Sequence, residues 1–365
     1  MQTSTEPLLL FIGSQGQGED QGIHAARFFP ASGKLDVLGL SAVVARPTWV
    51  LADPRRPVLY AVSEVGNAGD RIGNVLSFSI GGENGSLSLL ASVPSGGGGP
   101  THLALDREGT TLCVANFGGG EVALVPVSDH GDLAPVCALR IGSGSGPHRR
   151  QKCAHAHGVT LDPTGRYLLA PDMGADRIFI YPYDAAGRTL GDDPNLHASV
   201  PAGSGPRLIL FGKGGRFAYL LSELSAEFFV FAWNAEGGRL ELLSSIALDG
   251  PDTGSEPSAA GFAISPDGAF LYATNRTVPA IHVFAIDPEC GLLMPQQIVP
   301  TLGEKPWALE FSPGGDWLLC ANQASDEVRV FAVERATGLL SDSGNAIAVP
   351  APTSVAFSIP LGAIQ

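Results

Sequence analysis

Four side chains in this sequence are suited to proton transfer and to the stabilisation of negative charge: His157, Arg207, Glu223 and Arg276. An imidazole or a carboxylate can activate water or protonate a leaving oxygen, and guanidinium groups can stabilise a developing oxyanion. The four residues are far apart in the sequence, so a fold must bring them together before they can act as one catalytic set. The alternative is that Glu223 pairs with an arginine only to hold neighbouring elements together.

Basic and imidazole side chains are also concentrated in the segment HRRQKCAHAH, which runs from His148 to His157. Local positive charge of this kind can attract an anion towards a chain that is acidic overall. The residues that we expect to bind substrate are His102, Arg149, Arg150 and His155. Although His155 and His157 would point to the same face of a strand, no third ligand has a suitable spacing, so we expect neither a metal nor another cofactor.

The overall composition limits the partners that this chain can have. Its 365 residues include 22 lysines and arginines against 36 aspartates and glutamates, which gives a formal charge of −14 and a pI of about 4.9. Nucleic acids and anionic membranes require extended positive surface, so we expect neither as a partner. The five cysteines include no C-x-x-C pair, and the apolar run Leu8–Ile12 is too short to span a membrane. We therefore expect a cytoplasmic protein that is a monomer or a weak oligomer.

A repeat of about fifty residues supplies the elements that could position the candidate side chains. Each copy has an alternating apolar strand, a turn such as DPTG or SPDG, two further strands, and in most copies a fourth strand after a G-x-L turn. Copies begin near residues 47, 100, 155, 206, 257, 306 and 352. Four strands in each repeat are typical of a β-propeller blade, and such strands must stack against neighbouring blades to become buried.

The last copy, which begins at Pro352, contains only one strand. The N-terminal runs Leu8–Ile12 and Gly22–Phe28 can complete it, and pairing the two chain ends in one blade would close the ring and protect its edge strands. The sequence therefore predicts an all-β fold. We expect a seven-bladed β-propeller with four-stranded antiparallel blades, in which residues 1–365 form a single domain.

Equivalent positions of the blades converge at one mouth of the central channel, so distant residues can form one site. In our alignment, one position near the start of the first strand is occupied by Trp49, His102, His157, Leu208, Ala259 and Ala308. The position before it is occupied by Thr48, Thr101, Ala156, Arg207, Ser258 and Trp307. The position after the second strand is occupied by Glu64, Phe117, Met173, Glu223, Arg276 and Gln323. Charged residues at such positions are costly unless they are paired, hydrated or functional.

The sequence resembles the seven-bladed propeller lactonases, a family that includes bacterial 6-phosphogluconolactonases and fungal 3-carboxy-cis,cis-muconate lactonizing enzymes. The most specific motifs are GSGSGPHRRQ, AHAHGVTLDPTGRYLLAPDMGADRIFIY, GGRFAYLLSE and the Asn-Arg of ATNR, and the similarity covers essentially the whole chain. The resemblance implies that His157, Arg207, Glu223 and Arg276 form the active site and that no cofactor is required. Family members usually have a histidine where this chain has Leu208.

From these observations we expect hydrolysis of a sugar lactone, similar to 6-phosphogluconolactone, with an anionic lactone as the small-molecule partner. Arg207 and Arg276 would bind the anionic groups or the developing oxyanion of the substrate, and His157 or Glu223 would transfer the proton. A lactonizing cycloisomerase could use the same four side chains without water. A non-catalytic propeller that serves as a binding scaffold is the third possibility.

Overall fold

A computed structural model of the chain describes residues 6–193, 195–248 and 256–359. Within these ranges the regular elements are β-strands and two short 3-10 helices, Gly18–Asp20 and Gln323–Ser325. The strands in chain order are β1 (Leu8–Ser14), β2 (Gly22–Phe29), β3 (Lys34–Val43), β4 (Val50–Ala52), β5 (Val58–Ser63), β6 (Asn74–Gly81), β7 (Ser86–Pro94), β8 (Pro100–Leu105), β9 (Thr111–Asn116), β10 (Glu121–Pro126), β11 (Ala138–Ile141), β12 (Thr160–Leu161), β13 (Tyr167–Asp172), β14 (Arg177–Asp184), β15 (Thr189–Leu190), β16 (His197–Ser199), β17 (Pro206–Phe211), β18 (Phe217–Ser222), β19 (Glu227–Asn234), β20 (Arg239–Ala247), β21 (Ala259–Ile264), β22 (Phe270–Asn275), β23 (Ala280–Ile286), β24 (Leu293–Pro300), β25 (Pro306–Phe311), β26 (Trp317–Asn322), β27 (Glu327–Val333), β28 (Leu340–Ala348) and β29 (Pro352–Phe357).

These strands form seven antiparallel sheets, which we number as blades in chain order. Blade 1 has the strand order β29-β1-β2-β3, and blades 2 and 3 contain β4–β7 and β8–β11. Blade 4 contains β12–β15, with β16 also paired to β14, and blades 5, 6 and 7 contain β17–β20, β21–β24 and β25–β28. Strands of each blade contact the next one, and blade 7 contacts blade 1, so the ring is closed. The predicted seven-bladed propeller is confirmed.

The ring is closed by the two ends of the chain, as the sequence predicts. Strand β1 pairs with β2 on one side and with β29 on the other, and Phe11 lies opposite Ala356. Because β29 covers an edge that β1 would otherwise expose, the closure protects the first blade from pairing with another chain. The assignment of residues 1–365 to one domain stays a prediction.

The hydrophobic core lies between neighbouring blades. In four blades an aromatic residue after the first turn of the blade packs on a glycine in the outer hairpin of the next blade. The pairs are Tyr167 with Gly238, Phe217 with Gly291, Phe270 with Gly338 and Trp317 with Gly33. A Cβ atom at any of these glycines would approach the ring within 2.3 to 2.6 Å, and all four have a positive φ. Only glycine satisfies both requirements, so the G-x-L signal marks a packing site as well as a turn.

The strand registers correct our alignment in two blades. In blades 3, 5, 6 and 7 the first strand begins opposite the last residue of the second strand, and in blade 4 an isolated bridge before the first strand occupies the equivalent place. Pairs that define this position are Pro100–Asn116, Ala156–Asp172, Pro206–Ser222, Ala259–Asn275 and Pro306–Asn322. The residue aligned with Leu208 is therefore Gly158 in blade 4 and Gly261 in blade 6, one and two positions beyond the residues that we aligned. The shift in blade 6 arises because our alignment started this copy at Pro257, two residues before Ala259, which is the residue equivalent to Pro206.

The correction moves His157 to a more useful place. It is now equivalent to Arg207 in the next blade, so these two residues occupy the same position in adjacent blades. Thr101 occupies the same position in blade 3, and its hydroxyl donates to the carbonyl of His157 at 3.1 Å. The inner ends of blades 3, 4 and 5 are thereby linked around one mouth of the channel.

Candidate active site

The mouth of the channel contains a cavity of about 220 Å³. Most of its lining comes from the start of the first strands and from the residues that follow the second strands. The lining residues are Arg46, Thr48, Trp49, Glu64, Asn67, Thr101, His102, Phe117, Arg150, His157, Arg207, Leu208, Glu223, Gly261, Phe262, Arg276, Trp307, Ala308 and Leu309. The four predicted catalytic residues are all among them.

Glu223 is the centre of a charged cluster in this cavity. Its Oε2 atom lies 2.5 Å from Nη1 of Arg207, and its Oε1 atom lies 2.8 Å from Nη2 of Arg276 and 2.5 Å from Nη1 of Arg150. Nε2 of His157 lies 3.5 Å from Oε2 and is in contact with Nη1 of Arg207. Thus one carboxylate joins side chains that come from three consecutive blades.

Burial and charge set the protonation of this cluster. Burial alone would raise the pKa of Glu223, but Arg276 and Arg207 hold it well below the ordinary value. Burial and, to a smaller extent, Arg207 lower the pKa of His157 to about 4, so the imidazole is uncharged at neutral pH. Burial likewise lowers the pKa of Arg207 to about 10, which still leaves this guanidinium charged. The cluster therefore presents cations, one anion and a neutral imidazole.

Both buried arginines are held on more than one side. Nε of Arg207 donates to the carbonyl oxygen of Ala260 at 2.8 Å, and Nη2 of Arg276 donates to that of Ala259 at 3.4 Å. The guanidinium of Arg276 also lies 4.6 Å from the ring centre of Trp307, a distance typical of a cation–π interaction. Their positions are therefore fixed before any ligand binds.

The neighbouring wall is aromatic. The ring of His102 lies 4.1 Å from that of Trp49, and its Nδ1 accepts the N–H of Val159 at 3.4 Å. Burial lowers the pKa of His102 to about 3, with smaller effects from His157 and Arg207. Phe117 meets the edge of the His157 ring at 5.6 Å. These rings confine the imidazole on the side away from Glu223.

Two of the predicted substrate-binding residues do not line the cavity. The ring of His155 stacks on the ring of Phe117, with 4.5 Å between the ring centres, and its Nδ1 donates to the backbone carbonyl oxygen of Phe117 at 2.6 Å. The thiol of Cys153 lies beside Nε2 of His155. Arg149 pairs with Glu256 at 2.7 Å, and both side chains are about 70% exposed. We therefore withdraw His155 and Arg149 from the site, whereas His102 and Arg150 do line it.

Other lining residues were not assigned to the site from the sequence. Arg46 and Asn67 belong to this group, and Glu64 and Trp307 were aligned with other repeat positions but not assigned to the site. Glu64 had a detectable signal, because it occupies the position of Glu223 three blades earlier. Arg46 lies just before a repeat begins, so the pattern gave no reason to select it.

Two negative findings hold for the described ranges. No group of three or more histidine, cysteine, aspartate or glutamate side chains in residues 6–193, 195–248 and 256–359 is arranged to hold a metal ion. In the same part of the chain, no helix is long and apolar enough to cross a membrane.

The known proteins that are similar to this chain include several that are named as lactonases. A 6-phosphogluconolactonase of Bacillus subtilis is 27% identical over 81% of this chain and 82% of its own length. The 6-phosphogluconolactonase of Pectobacterium carotovorum is 31% identical over 75% of this chain and 77% of its own length. The structure of a periplasmic gluconolactonase of Pseudomonas aeruginosa superposes with a TM-score of 0.90 at 34% identity, over 96% of this chain and 99% of that one.

A family model covers the same repeats. The model described as "Lactonase, 7-bladed beta-propeller" matches residues 9–357, which is nearly the full extent of the described strands. Fold, residue composition of the cavity and relatives thus agree, and the chain belongs to the seven-bladed β-propeller lactonase family.

Proposed function

We propose that this protein hydrolyses sugar lactones. The observation that carries the proposal is the single cavity in which His157, Glu223, Arg207 and Arg276 meet. The names of its relatives, 6-phosphogluconolactonase and gluconolactonase, support the same class of substrate. A structural ion pair alone would account for Glu223 and one arginine, but not for a second buried arginine and a neutral imidazole at the same cavity wall.

The two buried arginines would stabilise the oxyanion that forms when water attacks the lactone carbonyl. Their guanidinium groups are already held by Glu223, by backbone carbonyls and by Trp307. Groups that are fixed in advance do not have to reorganise during the reaction, and in a partly dehydrated cavity they act more strongly than in water. Arg150, which is more exposed, would contribute to binding at the entrance.

His157 is better suited than Glu223 to act as the base. A carboxylate whose pKa lies far below the ordinary range has little tendency to take a proton. Nδ1 of His157 is buried and has no hydrogen-bond partner among the described residues. Nη1 of Arg207 can only donate, so in the neutral imidazole the lone pair lies on Nε2 and the hydrogen on Nδ1. Nε2, which faces Arg207 and Glu223, is therefore the atom that would accept a proton from water.

The proposed reaction then proceeds in two steps. Water attacks the carbonyl carbon, its proton passes to Nε2 of His157, and the carbonyl oxygen becomes an oxyanion beside Arg207 and Arg276. The ring C–O bond then breaks, and the proton on the imidazole passes to the leaving oxygen, which becomes a hydroxyl group. One lactone and one water give one aldonic acid, so no cofactor is needed for the balance.

We also propose a cytoplasmic location and the absence of nucleic acid or membrane partners. All five cysteines are unpaired, which suits a reducing compartment. The charge of −14 disfavours binding to polyanions. The Pseudomonas relative is named as a periplasmic gluconolactonase, so the cellular fraction that contains the present protein is a direct test of its location.

The activity can be tested on a panel of glucono-1,5-lactone, its 6-phosphate and carboxymuconate, with each rate corrected for the spontaneous reaction. Acid release at constant pH reports hydrolysis of the two lactones, and loss of ultraviolet absorbance reports lactonization of carboxymuconate. We expect the wild type to open at least one sugar lactone. His157→Ala and Arg276→Ala should each reduce kcat/KM by about a hundredfold or more.

A matched control is His130→Ala, which removes an exposed histidine far from the cavity lining. It should keep the wild-type rate. Lactonization of carboxymuconate without hydrolysis of any sugar lactone would favour a cycloisomerase. No reaction with any member of the panel would favour a binding scaffold.

A further inference from the structure

The cavity has two ends that differ in charge. Glu223 follows β18 in blade 5, and Glu64 follows β5 in blade 2, so the same position of the repeat supplies a carboxylate at both ends. Blades 2 and 5 are three positions apart in a ring of seven, which places the two carboxylates on opposite sides of the channel. Both carboxylates line the same cavity.

The end around Glu223 carries an excess of positive charge. Arg150, Arg207 and Arg276 all contact this one carboxylate, so three positive charges face one negative charge and two remain. The imidazole of His157 is uncharged at neutral pH and does not change this balance. This end is suited to an oxyanion and to the carboxylate of an aldonate product.

The opposite end is electrically balanced. Glu64 is only 8% exposed, and Nη2 of Arg46 lies 3.7 Å from its Oε2 atom, so one positive charge faces one negative charge. The hydroxyl of Thr48 and Nε2 of Gln15, the latter at 3.3 Å, donate to the same oxygen. No cation beyond Arg46 lines this end in the described part of the chain.

The second oxygen of Glu64 has unused capacity for hydrogen bonds. Its Oε1 atom accepts one hydrogen bond, from Nδ2 of Asn67 at 2.6 Å. A carboxylate oxygen can accept two, and an ionised carboxylate cannot donate any. A hydroxyl group of a ligand can donate to Oε1. A phosphate would add negative charge at an end where the single arginine already pairs with Glu64, so its charge would remain without a partner.

We propose that the substrate is an unphosphorylated aldonolactone, bound with its carbonyl at the arginine-rich end and its terminal hydroxyl group on Glu64. This inference rests on the lactonase function proposed above and gives it a specificity-determining residue. It also replaces our expectation of an anionic substrate, because the positive charge lies where the reaction creates an anion and not at the far end.

The test compares kcat/KM for glucono-1,5-lactone and for 6-phosphoglucono-1,5-lactone. We expect the wild type to prefer the unphosphorylated lactone by about tenfold or more. Glu64→Gln keeps the size of the side chain but removes its charge. The variant should have a lower kcat/KM for the unphosphorylated lactone, mainly because KM rises. The ratio of kcat/KM between the unphosphorylated and the phosphorylated lactone should therefore decrease.

Glu256→Gln is the matched control, because Glu256 is an exposed carboxylate that pairs with Arg149 outside the cavity. It should leave the preference unchanged. If Glu64→Gln does not fold, the preference of the wild type and its relative affinity for gluconate and 6-phosphogluconate remain decisive.

The two proposals fail in different ways. A wild type that turns over both lactones but prefers the phosphorylated one overturns the assignment of Glu64 and leaves the lactonase function intact. So does a Glu64→Gln variant that loses both activities in equal proportion. A wild type that hydrolyses neither lactone refutes the lactonase function, and the assignment with it.

Discussion

Removal of the charge of Glu223 tests whether the buried arginines depend on this carboxylate. The substitution Glu223→Gln keeps the shape of the side chain and can retain one accepted hydrogen bond. It leaves Arg207 and Arg276 without a counter-charge in the cavity, where their side chains are only 6% and 11% exposed. One amide hydrogen would also face a guanidinium N–H, so a donor would meet a donor.

The expected magnitude follows from this burial. Removing one partner of a buried ion pair typically costs about 3–5 kcal/mol, because a charge remains buried without compensation. Arg150 adds little to this figure, since its side chain is 38% exposed and water screens its charge. We therefore expect Glu223→Gln to lower the free energy of unfolding by about 3–5 kcal/mol at pH 7.

The measurement is urea denaturation followed by circular dichroism. Since the pKa of Glu223 is lowered in the folded protein, its carboxylate stabilises the fold above the ordinary value of 4.5, and this contribution is lost as the pH falls below that value. The difference in the free energy of unfolding between the wild type and Glu223→Gln should therefore begin to decrease below pH 4.5. Glu256→Gln, at an exposed pair, should behave like the wild type. If Glu223→Gln lowers the free energy of unfolding by less than about 1 kcal/mol, and the dependence of that free energy on urea concentration is unchanged, the reasoning is refuted.

Two further predictions concern stability. Burial lowers the pKa values of His102 and His157 to about 3 and about 4, so the unfolded chain binds more protons below pH 6.5, and stability should fall as the pH is lowered from 6.5 towards 4. The variant His102→Asn, whose amide oxygen can still accept the N–H of Val159, should lose less stability over this interval, and parallel pH curves would contradict that expectation. A chain that ends at Val349 lacks β29 and leaves β1 with an open edge, so it should lose its cooperative unfolding transition. A sharp transition at the urea concentration of the full chain would show that ring closure contributes little.

The repeat made the architecture predictable. A turn signal recurs about every fifty residues, and a lone strand at Pro352 requires the N-terminal runs to complete its blade. The same spacing identified the position after each second strand, which holds both Glu223 and Arg276. Positions in a strongly periodic segment are fixed by the pairing of strands, so the sequence is sufficient to find them.

The parts that could not be predicted depend on local departures from the repeat. Our alignment started blade 6 at Pro257 and blade 4 at His155. The residues that pair with the end of the second strand are Ala259 and Ala156, two and one positions later. The direction of a side chain is also absent from the pattern. Arg149 and Arg150 are adjacent, yet one lies at the surface with Glu256 and the other contacts Glu223.

The most direct test of the account is a structure of the protein in complex with gluconate, the product of the proposed reaction. The account predicts that the carboxylate of gluconate lies within hydrogen-bond distance of Arg207 or Arg276, with its terminal hydroxyl group towards Glu64. Gluconate bound instead in the larger cavity at the other ends of the strands, beside Phe28 and Trp317, would contradict it. So would a channel mouth that stays free of gluconate at saturating concentration.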